Sequence, residues 1–213
     1  MVTMNSINDG NDRAQAHTLE AFAAAILLVA GLTFALQATA VTPLSASTSN
    51  QHIENQQRAL AGDLLATSAE NGDLEAALLY WDPDGGDGNG TFVGTGASGA
   101  YTGGGPPNTF GETLNQTFLD RTIAFNVVIY HGERNENRTR MVNMGSPSDN
   151  AVTATRSVGL PDGANLTAPG HRDTTLRRLA DDTDPGAFYV EDDVVADTAM
   201  YDYVEVRIVV WRM

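Results

Sequence analysis

The hydrophobic pattern begins with a mainly apolar run from Leu19 to Ala40, in which Glu20 is the single acid. Residues 21–40 would form a helix about 30 Å long at roughly 1.5 Å per residue, which matches the hydrocarbon thickness of a bilayer. The chain that follows is polar, glycine-rich and acidic. The pattern therefore predicts a transmembrane helix over residues 15–42, and not a helix buried in a soluble core.

A helical pattern continues beyond this span, interrupted by Pro43, which removes one backbone donor and permits a kink. Small and apolar residues then recur at helical spacing opposite a polar face. The members of this stripe are Ile53, Leu60, Ala61, Leu64, Leu65 and Ser68. Asn71-Gly72 predicts the end of the helix, and Asp73 is predicted to cap a short helix over residues 74–81. We therefore expect residues 43–81 to form an amphipathic helical continuation.

The composition then changes to Gly, Asp, Thr and Pro over residues 82–111, which predicts a long exposed loop. Its DPDGGDGNG segment presents oxygen ligands at spacings that suit a calcium ion. The candidate ligands are Asp82, Asp84, Asp87 and Asn89. An EF-hand would have a glutamate at its twelfth position, which is Val93 here, so a solvated acidic linker is the preferred alternative.

Strand patterns dominate residues 112–213, where apolar and polar positions alternate. The predicted strands cover residues 123–130, 138–144, 152–158 and 203–213, and the first two form a hairpin. Val204, Val206, Ile208 and Val210 lie on one face of the last strand. An antiparallel sheet with one apolar face needs a cover, which the stripe from Ile53 to Ser68 can provide. The predicted fold class is therefore α+β, with a long N-terminal transmembrane and amphipathic helix packed on an antiparallel β-sheet ectodomain.

The charge balance narrows the function, since the net charge is -15 and all 12 basic residues are arginines. General binding to nucleic acids or anionic membranes is excluded, because both require basic patches. An acidic surface without lysine is typical of proteins kept soluble at high salt. The chain has no cysteine, which excludes disulfides and thiolate sites.

Catalytic motifs are not convincing, so no enzymatic activity and no cofactor other than the possible calcium ion is predicted. His171-Arg172-Asp173 spells the kinase catalytic-loop triplet without the other kinase elements. Gly94 to Gly99 matches the dinucleotide fingerprint, but the sequence after it cannot open the required helix. The four histidines are far apart and lack ligand spacing.

Asn-x-Ser/Thr sequons occur four times, always after the apolar run. Each is a candidate glycosylation site and requires exposed chain on the translocated side of the membrane. The acceptor candidates are Asn89, Asn115, Asn137 and Asn165. Together they favour an extracellular C-terminal domain.

The junction before the apolar run, Arg13-Ala14-Gln15 followed by Glu20, resembles the class III signal of archaeal type IV pilin-like proteins. The segment QAHTLEAFAAAILLVAGLTFALQATAVTPL is also similar to uncharacterised haloarchaeal pilin-like membrane proteins. The resemblance implies that a prepilin peptidase removes a leader, residues 1–14, and leaves the helix on a mature chain starting at Gln15. Glu20 is then the sixth mature residue, one later than the usual glutamate of the family.

The resemblance also implies a function: a single-pass subunit that assembles with itself or other pilin-like subunits into a type IV pilus-like filament. Glu20 would then contact the freed amino terminus of a neighbouring subunit. The alternative for Glu20 is a position at the membrane interface. For the whole chain, the alternatives are a single-span anchored ectodomain that binds ions or glycans, an exported enzyme, which ranks last, and a secretory signal cut near Ala40.

Overall fold

The computed structural model describes residues 8–85, 88–132, 135–181, 188–191 and 198–213, except for the side chains of residues 8–15 and 37–50. The chain divides into two units, Met1–His52 and Ile53–Met213, which we describe separately. The helices are α1 (Asn8–Glu70), α2 (Asp73–Leu78), α3 (Thr109–Thr117) and α4 (Leu176–Asp181), with a 3-10 turn at Leu119–Arg121. The strands are β1 (Trp81–Asp82), β2 (Thr91–Phe92), β3 (Ile123–His131), β4 (Asn137–Asn143), β5 (Val152–Pro161) and β6 (Met200–Arg212).

Helix α1 supplies the predicted amphipathic stripe to the second unit. Ala61 and Leu65 are fully buried, and Leu64 and Ser68 are nearly so. These positions are three or four residues apart and therefore lie on one face of the helix. The stripe is confirmed. The kink predicted at Pro43 lies outside the residues whose side chains are described.

The boundary between α1 and α2 differs from the prediction in its details. α1 ends at Glu70, and Gly72 adopts a left-handed conformation with φ of 80°, which glycine tolerates without a steric penalty. Gly72 itself occupies the N-cap position of α2, so the prediction that Asp73 caps this helix was wrong. α2 also ends at Leu78 rather than residue 81, because Trp81 already belongs to β1.

The glycine-rich segment is not the exposed loop that its composition predicted. β1 and β2 form an antiparallel hairpin in which Trp81 pairs with Phe92 and Asp82 with Thr91. Phe92 is completely buried, because its ring packs against neighbouring aromatic rings. α3 begins inside the same segment, where the side chain of Asn108 caps the helix by accepting a hydrogen bond from the Gly111 amide at 3.1 Å.

The predicted strands form one four-stranded antiparallel sheet with the order β4-β3-β6-β5. The C-terminal strand β6 is central and pairs with both β3 and β5. Val204, Val206, Ile208 and Val210 are all fully buried, as their alternation predicted. The antiparallel sheet is confirmed.

One hydrophobic core in the second unit joins the helices to this sheet. Ala61 and Leu65 of α1 belong to the same buried cluster as Phe125 and Val127 of β3 and Ile208 of β6. α2 and α4 add Leu74, Leu78 and Leu176. The α+β fold class is therefore confirmed.

Candidate functional site

An apolar span, Ala16–Leu36, is the first candidate site. This part of α1 is 21 residues long, and among the described residues it is the one helix long and apolar enough to cross a membrane. None of its window is buried in the protein. The exposed large side chains are Leu19, Phe22, Ile26, Leu27, Leu28, Val29, Leu32, Phe34 and Leu36. At roughly 1.5 Å per residue the span is about 31 Å long, sufficient for a bilayer core.

Two polar side chains of the apolar span, Thr33 and Glu20, have partners within the helix. The hydroxyl of Thr33 donates a hydrogen bond to the Val29 carbonyl at 2.7 Å, which satisfies the hydroxyl within the helix. Glu20 Oε2 lies 3.6 Å from His17 Nδ1, one helical turn earlier. The acid at the entrance of the span therefore has a local partner. The side chains of Arg13, Ala14 and Gln15, the predicted processing residues, lie outside the described ones.

A carboxylate and imidazole cluster is the second candidate site. It consists of Asp82 at the end of β1, Asp84 in the turn that follows, and His171 in the connection between β5 and α4. His171 Nε2 lies 3.3 Å from Asp82 Oδ1 and 3.7 Å from Asp84 Oδ2. The three candidate ligand atoms lie within 4.8 Å of one another. We call these three residues the DDH cluster.

The DDH cluster shares only two residues with the calcium site predicted from the sequence. Asp82 and Asp84 belong to both, whereas Asn89 is exposed in the turn before β2 and Asp87 lies outside the described residues. His171 was missed, because no local spacing links it to the aspartates. Its role depends on a contact between segments far apart in the chain.

An aromatic cluster lies beside the β1–β2 hairpin. The ring of Tyr189 packs against Trp81, Phe92 and Phe188, and its hydroxyl donates to the Leu78 carbonyl at 3.1 Å. Burial raises the pKa of Tyr189 well above its usual value, so this hydroxyl stays protonated as a donor. The cluster therefore contributes packing, and Tyr189 adds its hydrogen bond to Leu78.

A buried histidine, His131, packs edge-on against the ring of Tyr189. Its Nε2 lies 3.1 Å from the Thr139 hydroxyl, and its Nδ1 has no hydrogen-bond partner among the described residues. Burial lowers the pKa of His131, and the nearby charges of Asp202 and Glu191 oppose this shift only in part. His131 therefore stays neutral down to a lower pH than an exposed histidine does.

The glycosylation candidates differ in accessibility. Asn89, Asn137 and Asn165 are exposed, whereas Asn115 in α3 is half-buried. Asn115 Oδ1 also accepts a hydrogen bond from the Gly105 amide at 2.9 Å. Three of the predicted acceptors are therefore accessible, and the fourth is engaged in the fold.

The chain belongs to a family of unknown function (DUF7288), whose model matches residues 13–210. The match includes both the apolar span and the α+β unit. No curated protein and no solved structure matches the chain.

Proposed function

We propose that this member of the DUF7288 family is a pilin-like cell-surface subunit. The apolar span holds it in the membrane, and the same helix then bundles with other copies in a type IV pilus-like filament for adhesion or display. The unit from Ile53 to Met213 lies outside the cell, and the protein performs no catalysis.

The exposure of the apolar span is the observation that carries this proposal. Burying one large apolar side chain is worth about 1.5 to 3 kcal/mol, and every large apolar residue of the span is exposed. Side chains such as Phe22, Leu28 and Phe34 therefore require an apolar medium that the chain itself does not supply. Lipid and the helices of sister subunits both meet this requirement.

Glu20 gives the span a polar end that suits assembly. Processing before Gln15 would create a positively charged amino terminus about one and a half helical turns before Glu20, and Glu20 could pair with the amino terminus of a neighbouring subunit. In the single chain, His17 is the partner of Glu20, and its Nδ1 lies 3.6 Å from Glu20 Oε2. If Glu20 exchanged His17 for the amino terminus of a neighbouring subunit, assembly would depend on removal of the leader.

The extracellular location is supported by the surface of the second unit. Asn89, Asn137 and Asn165 present exposed sequons. The strongly acidic composition with no lysine suits a domain that remains soluble in concentrated salt.

A second function, a single-span anchored ectodomain that binds ions without assembling, is favoured by the DDH cluster. Such a protein needs the same anchor and the same exposed domain. It differs in retaining its leader and in remaining monomeric.

The discriminating experiment determines, in cells that make the protein, both the amino terminus of the mature chain and whether the chain assembles into surface filaments. Mass spectrometry of the membrane fraction should give a terminus at Gln15, and electron microscopy of material sheared from the cells should show filaments containing the chain. Glu20→Gln should strongly reduce the filaments while leaving the protein in the membrane. Glu70→Gln, an exposed change in the same helix, is the matched control.

Each other outcome has a defined meaning. An intact leader with no filaments would support the anchored ectodomain. A mature start near Val41, with the protein dissolved in the medium, would contradict both functions, because neither can operate without the span.

A further inference from the structure

The DDH cluster brings three metal-ligating side chains together from two separate segments. Asp82 and Asp84 follow β1, and His171 lies in the connection after β5. The His171 side chain is largely buried, at 22% exposure, whereas that of Asp84 is 87% exposed. The cluster thus combines a partly buried imidazole, His171, with a solvent-exposed carboxylate, Asp84.

The backbone positions these segments without help from the three side chains. The Thr167 amide donates to the Leu79 carbonyl at 2.9 Å, and the Thr167 hydroxyl donates to the Ala76 carbonyl at 2.6 Å. These bonds hold the segment that carries His171 against α2, the helix that precedes β1 in the chain. The two backbone segments are therefore preorganised, which reduces the entropy lost when a cation binds.

The turn that carries the aspartates is equally constrained. Gly85 donates to the Asp82 carbonyl at 3.2 Å, and a Cβ atom at Gly85 would lie 2.7 Å from the Thr91 side chain. The Asp84 amide donates to Asp82 Oδ1 at 3.1 Å, which orients that carboxylate. Orientation of ligating carboxylates by outer hydrogen bonds is a regular feature of metal sites.

We propose that Asp82, Asp84 and His171 form a binding site for a borderline divalent transition metal, with zinc as the reference ion. Zinc binds imidazole nitrogen and carboxylate oxygen at about 2.0 to 2.2 Å, so tetrahedral ligand atoms lie about 3.3 Å apart. The distance from His171 Nε2 to Asp82 Oδ1 is 3.3 Å. The distance from His171 Nε2 to Asp84 Oδ2 is 3.7 Å and would have to shorten on metal binding, which the exposed Asp84 side chain has room to do.

The donor set distinguishes this metal class from calcium. Calcium takes six to eight oxygen ligands, whereas imidazole nitrogen suits zinc and its neighbours in the first transition row. Two carboxylates neutralise a divalent ion, and water can complete the coordination. A bound metal would join the β1–β2 hairpin to the segment before α4.

An ion pair between His171 and Asp82 is the competing explanation of the same contacts. Such a pair needs no metal, and it also accounts for the 3.7 Å contact between His171 and Asp84. The metal site, in contrast, predicts saturable binding of a divalent ion that prefers nitrogen ligands over calcium's oxygen ligands.

The test is a metal titration of the full chain in detergent micelles after treatment with a chelator. Zinc should bind saturably with one site per chain and should raise the unfolding temperature. His171→Ala and Asp84→Asn should each weaken the affinity at least about tenfold. Asp173→Asn and His52→Ala, two exposed changes outside the cluster, are the controls and should bind zinc as the unmodified chain does.

Cobalt(II) provides a second readout, because its visible spectrum reports the coordination geometry directly. A spectrum of low-symmetry nitrogen and oxygen coordination should appear with the unmodified chain and disappear in His171→Ala. Circular dichroism of each metal-free variant verifies that it is folded. The proposal is overturned if no zinc binds, or if the control variants lose zinc binding as the cluster variants do. It is also overturned if calcium binds more tightly than zinc and His171→Ala leaves the calcium affinity unchanged.

Discussion

The guanidinium carbon of Arg207 lies 4.2 Å from the centroid of the Tyr130 ring. The same guanidinium donates to the Tyr130 hydroxyl at 3.2 Å and to Glu205 Oε1 at 2.8 Å. Arg207 lies on β6 and Tyr130 on β3, so the contact joins the two central strands on the sheet face opposite the core.

The Arg207 contact should contribute measurably to stability. Replacement by Ala removes a cation-π contact worth about 0.5 to 1 kcal/mol and a partly exposed ion pair worth about 0.2 to 1 kcal/mol. We expect Arg207→Ala to lower the free energy of unfolding by about 1 to 2 kcal/mol. Urea unfolding of the full chain in micelles, followed by fluorescence of the buried Trp81 and Trp211, measures it. Arg212→Ala, exposed on the same strand, should change little, and an equal loss in both variants would contradict the prediction.

His131 should make the stability of the second unit depend on pH. Because burial lowers its pKa in the folded state, the unfolded chain binds the proton first as the pH falls. The contribution of His131 is therefore complete above a pH of about 6.5 and decreases as the pH falls below it.

Urea unfolding between pH 7.5 and 5.5 measures this dependence. His131→Gln should remove part of the slope, whereas His52→Gln, an exposed change, should retain all of it. Equal slopes in all three proteins would show that His131 does not titrate differently on folding.

Gly111 should be irreplaceable in the first turn of α3. A Cβ atom at this position would overlap the backbone of Pro106, and backbone atoms cannot rotate away as a flexible side chain can. We expect Gly111→Ala to destabilise the fold by about 1 to 3 kcal/mol or more. Gly96→Ala is the control, because no atom lies within 4 Å of its added Cβ. Thermal unfolding followed by circular dichroism compares them, and similar midpoints would contradict the prediction.

Glycan occupancy should follow the accessibility of the sequons. Peptide mass spectrometry of the native protein should find glycan at Asn89, Asn137 or Asn165, which are exposed. Asn115 should remain unmodified, because it is half-buried and its amide oxygen accepts the bond from Gly105. A glycan found at Asn115 alone would contradict this ranking.

The amino-acid sequence alone determined the features that depend on local periodicity. The apolar span, the stripe through Ala61 and Leu65, and the alternation from Val204 to Val210 were all evident, because helices and strands repeat every 3.6 and 2 residues. The start of α3 was missed, although Asn108 caps it, because residues 82–111 were assigned as a loop from their glycine-rich composition.

The tertiary structure decided what depends on contacts between distant segments. It placed the C-terminal strand β6 between β3 and β5, buried Phe92 within a glycine-rich segment, and brought His171 to Asp82 and Asp84. Such contacts form because burial in the common hydrophobic core offsets the entropy lost in closing long loops. Local sequence patterns do not predict them, because this free-energy balance involves residues far apart in the chain.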